Sequence, residues 1–289
     1  IDLPRGGGAP PAPPASPADV ARFIALRPGW HRFDAVNDII GGDAASIRRA
    51  AAAAVGFQAR SGVGYSEIRY DPVRLSRSSL LGNSSMSLEA TVLAVKEGLA
   101  EGALHHGVAA YQILCAMRGR SPDACAATAE LAARARSGDM GSVVALDLAG
   151  DESSYPNAPY IECFRMAKRR WGLRTTVHAG EFAGVSAEEV RSAVAEMRAD
   201  RVGHGYAAAR DPAVVALLRA KRVHVEACPT SARSHGGWAL EAICDLHAAG
   251  VSVGLNTDDP APYIENTTAA EDERIVRERC GFSGADVAG

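Results

Sequence analysis

Short apolar runs of the kind that form buried strands alternate along this chain with stretches of helical spacing, and that alternation limits the fold more than any other feature. The strand-like runs cover 64–70, 108–115, 142–148, 174–177, 201–203, 223–227 and 251–255. Between them the pattern predicts helices opened by Ser87 (to about Glu101), by Ser121-Pro122, by Pro159 (to Trp171), by the capping box Ser186-Ala-Glu-Glu189, by Asp211-Pro212 and near Trp238. Strict alternation of this kind means a parallel sheet joined by right-handed crossovers. Seven strands are one short of a closed (β/α)8 barrel. Nothing after Leu255 resembles a strand, so the expected eighth lies before Ile1. An open doubly wound sheet would carry G-x-G-x-x-G after its first strand, and none is present.

Upstream of the alternation, residues 4–17 are a Pro/Gly/Ala stretch that can neither pack nor pair and reads as a mobile loop. Ser16-Pro17 then opens a short helix, a second runs from Trp30 to Ile40 and stops at Gly41-Gly42, and Asp43 caps an Ala-rich helix to about Arg60. A net charge of -3 and a pI near 6.3 offer nothing to nucleic acid or an anionic membrane. No apolar run is long enough to span a bilayer, and no basic-then-apolar leader opens the chain. The six cysteines are scattered without a C-x-x-C, which favours a reducing compartment, and a cytoplasmic protein, over a disulfide framework.

Chemistry concentrates where the later strands end. The run Thr175-Thr-Val-His178-Ala-Gly-Glu181 closes on an imidazole and a carboxylate three positions apart. If the strand curls into a loop there, both face one pocket; a buried His with a helix-start carboxylate is the alternative. Arg201-Val-Gly-His204, Val225-Glu-Ala-Cys228 and the run ending Asp258-Asp259-Pro260 close in the same way. Singly, His204 reads equally as a satisfied structural residue and Asp258-Asp259 as a turn. Together, four consecutive strand ends supply neutral imidazole and carboxylate, the usual ligands of a hydrolytic zinc centre with an open position for water. Cys228 reads as packing. His105-His106 reads as a solvated turn, His31, His224, His235 and His247 have no partners at ligand spacing, and Arg48-Arg49 and Lys168-Arg169-Arg170 read as helix faces.

The set Asp147-Leu-Ala-Gly-Asp-Glu152, His178-Ala-Gly-Glu181, Val202-Gly-His-Gly-Tyr206, Glu226-Ala-Cys-Pro-Thr-Ser231 and Leu255-Asn-Thr-Asp-Asp-Pro260 resembles the adenosine/AMP deaminase family, and most closely its adenosine deaminase branch. Five motifs in order, within residues 63–263, carry the resemblance. It implies a (β/α)8 TIM barrel of the metal-dependent hydrolase type and hydrolysis of adenosine, and of deoxyadenosine, in purine salvage. It further implies that His178 and Asp258 are zinc ligands, Glu181 the proton donor to the purine, and His204 the residue that orients and stabilises the zinc-bound hydroxide. Asp259 would accept a hydrogen bond from the purine, and Gly150 would hold it through its backbone. One zinc per site is implied, with a small-molecule purine nucleoside as partner and a monomer as the expected state.

The departures are as definite. The family's first strand carries a His-x-His pair that supplies two further zinc ligands, and no His-x-His occurs here. That is a second argument for a strand lost before Ile1; residues 1–289 then form a single barrel domain, incomplete at both ends and inactive alone. Residues 1–40 are only loosely family-like. Other substrates (adenine, N6-methyl-AMP, methylthioadenosine) remain alternatives, as does a catalytically dead barrel used for binding. Cytidine-deaminase chemistry is disfavoured, because its H-x-E and P-C-x-x-C signature is absent.

Overall fold

The structure is a computed structural model and describes residues 17–27, 29–80, 82, 84–259 and 268–287. Residues 4–16 of the expected mobile stretch, and Ser16 as a cap, lie outside them. Three helices open the described chain: α1 (Pro17–Ala25), α2 (His31–Ile40) and α3 (Ala44–Arg60). Asp43 caps α3 as expected, its carboxylate accepting from the Ser46 N–H at 2.7 Å.

A single sheet follows, built of β1 (Tyr65–Tyr70), β2 (Ala109–Met117), β3 (Val143–Ala149), β4 (Arg174–Ala179), β5 (Arg201–His204), β6 (His224–Ala227) and β7 (Val253–Leu255). The strands lie side by side in chain order, and every pair is parallel. Each crossover carries a helix: α4 (Leu88–His106), α5 (Pro122–Arg134), α6 (Ile161–Trp171), α7 (Ala187–Ala195), α8 (Pro212–Lys221) and α9 (Gly237–Ala248), with α10 (Ala269–Cys280) after β7. This is the (β/α)8 barrel architecture, with seven of its strands among the described residues. Parallel order puts every strand's C-terminal end on one face, where barrel sites are built.

Alternation along the strands explains the core. One face of Leu114, Leu146, Val177, Val202 and Val225 packs on helix residues such as Leu131, Phe164, Val190 and Leu218. The opposite face is polar and points inward. Arg69 of β1 donates to Asp147 of β3 at 3.1 Å and to Glu226 of β6 at 2.8 Å, while Thr176 of β4 donates to Glu226 at 3.0 Å and Arg201 of β5 lies 3.1 Å from it. Asp147 and Glu226 are buried, and such carboxylates persist only when paired and hydrogen-bonded. Outside the sheet, α3 and α4 approach closely because α4 is smooth where they meet. A Cβ on Gly98 would lie 2.2 Å from the Arg48 carbonyl oxygen.

Four expectations need correction. The helix after Ser87 runs on to His106, so His105 and His106 occupy its last turn; it ends where Gly107 takes a left-handed backbone (φ 70°). Ser186 caps its helix by accepting from Glu188, but there is no reciprocal box, because the Glu189 carboxylate accepts from the Asn157 N–H at 2.7 Å instead. Pro229–Ser234 forms an additional short helix after β6. Finally, four cysteines are paired, Cys125 with Cys163 and Cys244 with Cys280, leaving Cys115 and Cys228 as buried free thiols. Spacing in sequence misled here because each bond joins neighbouring outer helices that only the barrel brings together: α5 to α6, and α9 to α10. Among the described residues no helix is long and apolar enough to cross a membrane.

Candidate active site

The site begins where β4 stops being a strand. Thr175, Thr176 and Val177 are fully buried, His178 is the next residue but one from the end, and at Gly180 the backbone turns with φ 76°. Only glycine fits that turn, since a Cβ there would sit 2.7 Å from the Val190 side chain. The turn is then clamped. Glu152, buried in the loop after β3, accepts from the backbone N–H groups of Gly180 (2.8 Å), Glu181 (2.5 Å) and Phe182 (3.2 Å). His178 and Glu181 therefore leave a curled strand end and both reach the site.

Glu181 lies between two imidazoles. One carboxylate oxygen is 3.6 Å from Nε2 of His204 and the other is 3.1 Å from Nε2 of His235. His204 ends β5 with φ 63°, its ring centroid 5.1 Å from that of His178, and its Nδ1 is 3.3 Å from the Tyr206 hydroxyl. Asp258, just after β7, also has positive φ (55°). Left-handed backbone at a non-glycine residue costs about 1 kcal/mol or more, and such strain collects at functional sites. Gly150 follows β3 with φ 104°, and a Cβ there would lie 3.3 Å from the Met117 side chain.

The charges are set by neighbours more than by exposure. Burial pushes the Glu181 carboxyl up, but His204 and the hydrogen bond to His235 outweigh it and hold it below the usual carboxylate range. Burial works against a charged His178, yet Asp147, with both oxygens 3.1 Å from Nδ1, raises that imidazole to about 9. The Asp258 carboxylate beside it pushes Asp259 well above the carboxylate range, while His204 and hydrogen bonds from Asp259 and Ser231 carry Asp258 below that range against burial.

The donor chemistry fits a divalent cation. A carboxylate on Nδ1 of His178 fixes its tautomer and leaves Nε2 as the coordinating nitrogen, the arrangement by which metal-bound histidines are oriented. Donor atoms of Asp258, His204 and Cys228 also lie within 4.8 Å of one another. Of these, Cys228 is buried with its thiol on the Glu226 carbonyl.

Sequence reasoning overlooked the supports. Asp147 and Glu152 bound the first of the five motifs, but the contacts they make, to His178 and to the 180–182 turn, are 28 or more residues away in the chain. Ligand spacing gives His235 no partner; its partner is Glu181, 54 positions away and reached only through the barrel. His224 likewise has one, the Ser252 hydroxyl at 2.8 Å.

The match to known proteins is broad. The adenosine deaminase family profile covers residues 10–289, wider than the five motifs and including the N-terminal helices. The adenosine deaminase of Shewanella loihica is 34% identical over 249 residues, 85% of this chain and 71% of that one. The rat adenosine deaminase is 33% identical over 266 residues, 87% and 72% respectively. Among solved structures, a zinc-bound amidohydrolase from Burkholderia ambifaria superposes with a TM-score of 0.79 at 24% identity, covering 94% of this chain and 74% of that one. An adenine deaminase from Arthrobacter aurescens gives 0.74 at 22%, covering 92% and 79%. An N6-methyl-AMP deaminase from Arabidopsis gives 0.74 at 22%, covering 93% and 79%.

Proposed function

Because this chain belongs to the adenosine deaminase family of hydrolases, we propose that it acts as one barrel domain that hydrolyses the 6-amino group of adenosine, and of deoxyadenosine, to give inosine and ammonia in purine salvage. The observation that carries the reading is Glu181, pinned by Glu152 at a strand end and flanked by His204, beside His178 and Asp258. Attack at C6 breaks the aromaticity of the ring, and the adjacent ring nitrogen must take a proton as it does so. Glu181 is the carboxyl group placed to supply it. His204, fixed by Tyr206 on one side and Glu181 on the other, orients the attacking water. Asp259 faces the purine, and Gly150 holds it through its backbone. His178 and Asp258 are the residues that would hold a metal, which we take to be zinc. Bound there, zinc would bring the pKa of a water to about 7 and so make it a nucleophile at neutral pH.

The test is a spectrophotometric assay of adenosine conversion with added zinc, run on this chain and on one extended by its upstream coding sequence, and repeated with adenine and N6-methyl-AMP. The extended chain should convert adenosine where the 289-residue chain converts little or none; in the extended chain Glu181→Gln should lower the rate by about 10²- to 10⁴-fold, and a chelator should abolish it. Conversion of only adenine or N6-methyl-AMP would move the substrate; conversion of none would overturn the reading.

A further inference from the structure

A carboxyl group that must donate a proton is held ionised here by its surroundings, so the proton has to be kept elsewhere. Among the described residues, two imidazoles lie against the Glu181 carboxylate. His204 is 3% exposed and closed in by His178 and Tyr206. His235 is different: its side chain is about one-fifth exposed, so one edge meets solvent while Nε2 meets Glu181 at 3.1 Å. Its position is built from several elements. Its backbone carbonyl accepts from the Trp238 indole at 3.0 Å, and Trp238 is itself held between Arg210 and Tyr206. The Phe182 ring stands edge-on to the imidazole at 5.1 Å, and Trp30 of the N-terminal segment packs on Phe182.

We propose that His235 is a positioning residue that shares one proton with Glu181 and passes it from solvent to the catalytic carboxyl; the catalytic half of this rests on the deaminase reading above. The step is a plain transfer. The N–H bond at Nε2 of His235 breaks, an O–H bond forms on Glu181, and the imidazolium and carboxylate both become neutral. Glu181 then protonates the ring nitrogen. Per turnover the attacking water supplies two protons; ammonia carries one away and the other returns to the pair, so the protons balance.

The electrostatics agree with the geometry. The hydrogen bond to Glu181 raises His235 above the ordinary imidazole value, against the pull of burial. The charged groups that act on it, Glu181, Asp258 and Glu152, come from the loops after β4, β7 and β3 and are all acidic. Arg233, on the short helix that ends just before His235, is turned to Glu271 instead, at 3.5 Å.

Two experiments decide this. Histidine-ring NMR titration of the chain should show His235 protonating above the ordinary range, and Glu181→Gln should bring it down by about one unit or more. An ordinary value in both proteins overturns the pairing, and this readout needs no turnover. If the pair titrates as stated but no 6-aminopurine is converted, the deaminase reading fails while the pairing stands. In the assay, His235→Asn keeps a hydrogen-bond donor but cannot carry the proton. We expect kcat to fall about 10- to 100-fold with KM little changed, and the alkaline limb of the pH profile to disappear. His235→Asn with wild-type kcat and an unaltered profile would reduce the residue to packing and overturn the relay.

Discussion

At the scale of single residues, the candidate site depends on groups whose contacts hold its other side chains in place. Glu152 spends both carboxylate oxygens on three N–H groups of the turn that carries Glu181. Glu152→Gln replaces one acceptor with an amide that faces a donor, leaving at least one N–H unpaired at a cost of about 1–3 kcal/mol. The catalytic consequence should exceed the structural one, since misplacing a group by about 1 Å can cost 10²-fold in rate. We therefore expect kcat for adenosine to fall at least tenfold while the urea midpoint moves modestly, read by steady-state kinetics and denaturation on the same preparation. Unchanged kcat would mean that the turn is held by its glycine alone. Asp147 acts on His178 in the same manner and is itself held by Arg69, so a line of paired charges runs from His178 down into the barrel.

At the scale of elements, α10 is joined to the site wall by a buried acid. Asp272, fully buried, accepts from both the N–H (2.8 Å) and the hydroxyl (2.6 Å) of Thr230, in the short helix that follows β6. Its second oxygen has no hydrogen-bond partner among the described residues. Burial raises its carboxyl to about 6 despite the two hydrogen bonds. The folded pKa thus lies above the unfolded one, so the proton-linked stabilisation is complete below about pH 4 and is lost as pH rises through about 6. Asp272→Asn keeps an acceptor for Thr230 and removes the titration. Between about pH 4 and about pH 7 the wild type should lose on the order of 3 kcal/mol relative to the variant, seen as crossing or converging urea midpoints. Parallel midpoints across that range would show that Asp272 is not the group responsible.

At the scale of the whole molecule, the two disulfides join consecutive helices of the outer ring, closing chain loops of 38 and 36 residues in sequence separation. Each should contribute about 2–4 kcal/mol, and their presence fits an oxidising compartment better than the reducing one that cysteine spacing suggests. Thiol titration of the unfolded, unreduced chain should find two reactive groups, Cys115 and Cys228, and six after reduction. Reduction should also lower the thermal midpoint. Six thiols without reductant would return the protein to the reducing compartment.

The parallel architecture, the strand ends that carry His178, Glu181, His204 and Asp258, and the family itself were legible in the sequence, because local periodicity and short motifs encode them. Strand alternation sends Thr176 into the barrel and Val177 onto the helices, and caps such as Asp43 act within three residues of themselves. What only the tertiary structure decided are the pairings across the barrel: Glu152 on the Glu181 turn, Asp147 on His178, His235 on Glu181, and cysteine with cysteine. A charge or a thiol carries no mark of its partner along the chain. Such a partner is chosen only when strands from distant segments bring their ends to one face, and the low dielectric there makes each pairing decisive.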